Sequence, residues 1–172
     1  MLFGDQSDFA VEIFHEPSSA EWKGFGRMCI HVQGTVIGRI NEEHCSLFHA
    51  VARISEAAQV LPSLWDEKFS QHSDEEIFSW LDAVLYSGEV QGEQGLNRFD
   101  FLTNTGEQFD DSKTFILRSP DGVVRVLYFK DQRFGSASCR ETTFVSVAAR
   151  LSQWFKEQAS ERPYVYPCSR EG

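Results

Sequence analysis

The sequence predicts an α+β fold: a mostly antiparallel sheet of about six strands with about three packed helices. Three observations lead there. The predicted strands come in two runs, one before and one after a pair of helices, and runs of this kind segregate into sheet and helix layers. A tight-turn signal joins the two strongest strands. Three segments carry apolar stripes at helical spacing. A chain of 172 residues with fifteen Phe and four Trp has ample core material for one domain.

Phe9 to Glu16 alternates, with Phe9, Val11 and Ile13 on one face, and reads as a strand. Gly24 to Val32 is a second strand, with Met28, Ile30 and Val32 on one face. Gln33-Gly34 offers a turn into a third, Thr35 to Ile40. Asn41 is placed to cap the first helix, and Glu42 and Glu43 suit the positive end of its dipole. Leu47, Val51, Ile54, Ala58 and Leu61 form its apolar stripe, and Pro62 ends it.

Ser73 and Glu76 fit a capping box for a second helix, striped by Ile77, Phe78, Leu81, Val84 and Leu85 and closed by Gly88. Glu89 to Asn97 is rich in Gly, Gln and Glu and reads as an exposed loop. Arg98 to Thr103 reads as a strand. Thr114 to Arg118 and Val123 to Lys130 form a hairpin around Ser119-Pro120-Asp121-Gly122, where Pro and Gly suit the two central turn conformations. A short strand over Ser136 to Arg140 follows. Thr142 or Thr143 then caps a last helix, with Phe144, Val147, Ala148, Leu151 and Phe155 on one face. The single domain spans residues 1–172, with an irregular tail from about residue 160.

Net charge is −10, unevenly distributed. Residues 66–111 carry Lys68 and Arg98 against 12 acids, while residues 112–172 carry 10 basic and 6 acidic side chains. This bias argues against a nucleic-acid partner and suits a basic protein. No run approaches a membrane span, and no secretory signal precedes Phe9. The four scattered cysteines, Cys29, Cys45, Cys139 and Cys168, read as reduced thiols, which together predicts a cytoplasmic protein.

Several clusters invite a chemical reading. Asp100 with Asp111-Ser112-Lys113 has the D…D-x-K pattern of a metal-dependent hydrolase or nuclease, one alternative to a binding role. His44, Cys45 and His49 supply at most two aligned ligands on a helix, short of a zinc set. Cys29 and His31 share one strand face with Phe25 and Arg27, a pattern that a half-buried sheet face explains equally well. No nucleotide or hydrolase motif occurs. The reading is a non-enzyme without a cofactor or a metal. Glu107, Phe109, Asp110 and Asp111 present an aromatic among carboxylates; together with Glu89 and Glu93 they are the predicted contacts to a basic partner.

Met1-Leu2-Phe3-Gly4-Asp5, followed by Phe9 to Ile13, resembles the start of immunity protein family 42 of bacterial polymorphic-toxin and contact-dependent inhibition systems. The resemblance continues at Trp22, Gly26 to Cys29, Gln33-Gly34, Ile37-Gly38, Ala83 to Tyr86, Arg98 to Asp100 and Gln108 to Asp111. The sequence departs from that pattern at Ile30-His31 and at Arg39. The resemblance implies a small cytosolic antidote that binds and neutralises a cognate toxin domain. That the toxin is a basic nuclease is an expectation from charge alone. The other alternative to this role is a non-toxin adaptor domain. Oligomeric state is left open.

Overall fold

A computed structural model describes residues 1–15, 24–42, 45–87 and 95–160. Among these described residues, eight strands form two antiparallel sheets, and three helices pack on them. The α+β class therefore stands, with the strands divided between two sheets.

The first sheet contains β1 (Leu2–Gly4), β2 (Phe9–His15), β3 (Phe25–Val32), β4 (Thr35–Ile37) and β5 (Cys45–Ser46). Its order is β1-β2-β3-β4, and β5 also pairs with β3. The predicted inward face holds, with Phe9, Val11, Ile13, Met28, Ile30 and Val32 all fully buried, and Ala10, Cys29 and His31 on the opposite face are buried as well. β1 escapes periodicity because three residues carry no readable pattern.

The first helix begins later than predicted. It runs over Phe48–Val60 (α1), with Leu47 at its N-cap and no capping side chain. Asn41 and Glu42 precede it by a strand, so neither caps it nor meets its dipole. Pairing of Cys45 with Gly26 and of Ser46 with Phe25 overrides local helix propensity. The stripe itself is right: Leu47, Val51, Ile54 and Leu61 are buried.

The capping box is present at Asp74–Asp82 (α2). The Glu76 amide donates to Ser73 Oγ at 3.3 Å, and the Ser73 amide donates to Glu76 Oε2 at 2.8 Å. Beyond Asp82 the chain widens into a π-turn over Ala83–Ser87. Gly88 and the 89–94 part of the predicted loop lie outside the described residues.

Arg98 to Thr103 is not a strand. It holds the end of a 3-10 turn, Leu96–Arg98, and one isolated bridge between Asp100 and Phe115. Pairing with Ser112–Arg118 is only partial. The Ile116 amide donates to Phe99 O and the Phe101 amide to Thr114 O, but the Thr114 amide donates to Thr103 Oγ1 and the Leu102 amide to Thr114 Oγ1. Side-chain oxygens thus replace the ladder, while the Arg53 guanidinium donates to the carbonyls of Asn97, Arg98 and Asp100.

The second sheet is β6 (Ser112–Arg118), β7 (Val123–Lys130) and β8 (Arg133–Arg140) in that order. The Ser119–Gly122 turn is as predicted: the Gly122 amide donates to Ser119 O at 2.9 Å, with Gly122 at φ 82°. β8 is longer than expected. On one face of this sheet Ile116, Val124, Val126, Ala137 and Cys139 are buried in the common core. The other face meets α2.

Glu141–Ser160 (α3) starts one residue before the proposed capping threonines. Thr143 Oγ1 instead donates to Asp8 Oδ2 at 2.6 Å. Asp8 also accepts from the Arg140 amide and from Arg140 Nε. α3 packs on α1, β1 and β2, with Phe144 on Phe9 and Trp154 on Phe3 at ring separations of 4.8 and 5.7 Å. The ends of the domain are thereby joined.

Candidate functional site

The register of the second sheet sets three side chains in a row. Lys113 pairs with Phe129 and Phe129 with Phe134, so all three lie on the face that meets α2. Phe78 of α2 packs into that row, 6.1 Å from Phe129, 5.6 Å from Phe134 and 5.0 Å from Phe115. Phe78 and Phe115 are buried, but Phe129 is 41% exposed. The result is a groove with an aromatic floor.

Carboxylates line its walls. Glu75 and Asp82 come from α2, Asp110 and Asp111 from the turn before β6. The groove encloses about 600 Å³, and among the described residues Lys113 is its one lining cation. Lys113 Nζ donates to Asp82 at 2.5 Å and sits 5.0 Å from the Tyr86 ring centre. Asp111 faces Arg39 Nε at 3.6 Å. Glu75 and Asp110, both exposed, have no ion pair or side-chain hydrogen bond among the described residues.

Of the predicted contact residues, Asp110 and Asp111 enter this groove. Glu107 is exposed, and its carbonyl accepts from Arg39 Nη2 at 2.9 Å. Phe109 is fully buried. It packs so tightly on Gly38 that a Cβ there would lie 2.6 Å from its ring. Phe109 is thus a core anchor that positions the neighbouring acids, and the exposed aromatic is Phe129. Glu89 and Glu93 lie outside the described residues. Sequence reading missed Glu75, Asp82, Phe78, Phe129 and Phe134, because packing between distant elements alone brings them together.

The hydrolase pattern is divided among separate partners. Asp111 serves Arg39 and Lys113 serves Asp82. Asp100 is partly buried beside Tyr86 and Thr103. Burial raises its carboxyl above the usual range, while the Tyr86 and Thr103 hydroxyls act the other way. Cys45 and His49 share no helix face, since Cys45 lies in β5; His44 is outside the described residues.

Cys29 and His31 do share a face, together with Glu12 of β2. His31 Nε2 is 2.9 Å from Glu12 Oε2 and 3.7 Å from Cys29 Sγ. A nucleophile–base–orienter relay requires thiol and carboxylate on opposite ring nitrogens. Here both meet the same nitrogen. Burial and the Glu12 charge also push the Cys29 thiol up to about 11, the reverse of an activated nucleophile.

Among the described residues, no helix is long and apolar enough to cross a membrane. No curated protein sequence matches the chain. The crystal structure of CdiI from Burkholderia dolosa AUO158 shares the fold, with a TM-score of 0.67 at 15% identity over 90% of this chain and 99% of that one. A family profile described as Immunity protein 42 matches residues 1–154. The chain belongs to the immunity protein 42 family and is a toxin-neutralising immunity protein.

Proposed function

We propose that this protein neutralises its toxin by stoichiometric binding, without catalysis, and that the acidic groove between α2 and β6–β8 receives a basic segment of that toxin. The observation that carries the reading is the pair of carboxylates without a partner among the described residues, Glu75 and Asp110, above an exposed Phe129. Aromatic area supplies binding energy at the centre of an interface, while charges at its rim speed encounter. Asp111 and Glu107 extend the rim. Glu89 and Glu93, which follow the Ser87 end of the groove wall in sequence, belong to the same proposed surface. Phe109 acts beneath it. A cytoplasmic site of action follows from the antidote role.

The test is binding to the toxin domain encoded beside the gene. Glu75→Lys with Asp110→Lys lowers the association rate by about tenfold or more, and the wild-type rate falls as salt rises. Phe129→Ala speeds dissociation. Unchanged binding by both variants would place the interface elsewhere, and a salt-independent rate would dismiss the basic partner.

A further inference from the structure

The outer face of the first sheet carries a second constellation, remote in sequence from the groove. Glu12 and Cys29 are directly paired across β2 and β3, and His31 follows two residues on, so the three side chains share one face. Their ligand atoms all lie within 4.8 Å of one another. The Gln6 amide nitrogen adds a further group, 3.3 Å from His31 Nε2.

One nitrogen is over-subscribed. An imidazole Nε2 either donates one hydrogen or offers one lone pair, so it satisfies one partner at a time. Here a carboxylate, a thiol and an amide converge on it. A cation in their midst would satisfy every group at once. Zinc bonds of about 2.0–2.3 Å in a tetrahedron set ligand atoms about 3.5 Å apart. The observed separations from Nε2, 2.9 and 3.7 Å, bracket that value.

We infer that Glu12, Cys29 and His31 form a binding site for one zinc-like divalent cation, with the Gln6 amide oxygen, after half a turn of the amide, or a water as fourth ligand. The donor set selects the metal. Sulfur and imidazole favour zinc over magnesium or calcium, and thiolate plus carboxylate neutralise a dication. Cys29 and His31 are nearly sealed from water at 1% and 7% exposure, while the Glu12 side chain is 42% exposed and supplies the entry path. Metal takes the Cys29 sulfur as thiolate, so a thiol proton passes to solvent as the Cys29–metal bond forms. The site ties β2 to β3 and does not depend on the groove.

Cobalt is the direct probe. Co²⁺ added to the reduced full chain gives a thiolate-to-metal charge-transfer band and the intense visible bands of a tetrahedral site. They saturate at one equivalent, release about one proton per metal, and are bleached by Zn²⁺. Cys29→Ser abolishes the charge-transfer band, and Glu12→Gln weakens binding while leaving the thiol intact. A chain with Cys45→Ser, Cys139→Ser and Cys168→Ser keeps the band. Should Cys29→Ser fail to fold, Glu12→Gln and His31→Gln carry the same comparison, with circular dichroism confirming their folds. Absence of the band in wild type, its persistence in folded Cys29→Ser, or equal Zn²⁺ affinity in wild type, Glu12→Gln and His31→Gln would each overturn the site.

Discussion

Individual residues show how an acidic sequence yields a localised acidic surface. Residues 66–111 carry 12 acids, yet several have structural duties. Asp66 caps a 3-10 turn, Asp74 accepts from Arg125 and Ser136, Glu76 closes the capping box, and Asp82 holds Lys113. The field left for a partner comes from fewer groups, with Glu75 and Asp110 foremost. A tally of charges cannot make that distinction, because it depends on which acids meet a cation in space. Asp8 shows the same principle at the opposite end of the domain. Its carboxyl lies below the usual range: burial alone would raise it, but hydrogen bonds from Thr143 and from the Arg140 amide and side chain prevail. An unfolded aspartate titrates near about 3.9. Because the folded value is lower, this stabilisation is complete above the unfolded value and is lost as pH falls through the folded one. Asp8→Asn therefore unfolds more easily than wild type at neutral pH. The difference shrinks toward about pH 2, measured by urea denaturation across the acid range.

Among the secondary-structure elements, those with covalent-range signals were legible. The Ser73–Glu76 box, the Ser119–Gly122 turn and the apolar stripes each depend on residues within a turn or two of one another. Ser73→Ala should cost about 1 kcal/mol of stability, read from the shift in the urea midpoint. What stayed illegible was decided by partners far along the chain. The start of α1 moved because β5 pairs with β3, and the predicted strand at 98–103 gave way to hydrogen bonds with the Thr103 and Thr114 hydroxyls. The groove was half legible for the same reason. Asp110 and Asp111 stand out as a local acidic run, whereas Glu75 and Phe129 join them only through the packing of α2 on β7. Gly38 links fold and groove. It adopts φ 92°, a left-handed conformation, and a methyl there would press on Phe109. Gly38→Ala should lose more than about 1 kcal/mol in a denaturant melt and displace Asp110 and Asp111, so toxin association slows as well.

For the whole molecule, binding and integrity use different parts of the chain. The groove is built from residues 75–134, while the joint around Asp8 brings together residues 132 and 135 positions apart. Hydrogen exchange on the toxin complex should show added protection in α2 and at 107–113, with the outer face of β2 and β3 unchanged. Protection confined to that outer face would reverse the assignment. A chain ending at Arg140 lacks Phe144 and Trp154, which cover Phe9 and Phe3, and the buried Leu151. It should show no cooperative thermal transition by near-ultraviolet circular dichroism.

That joint also has a consequence for the order of synthesis. Phe3 and Phe9 leave the ribosome well before Phe144 and Trp154 of the helix that covers them. At about 5–20 residues per second, the first sheet waits on the order of ten seconds for its cover. Through that interval it presents a bare apolar face, in need of a chaperone. The antidote thus covers its first sheet in one late step, when α3 arrives.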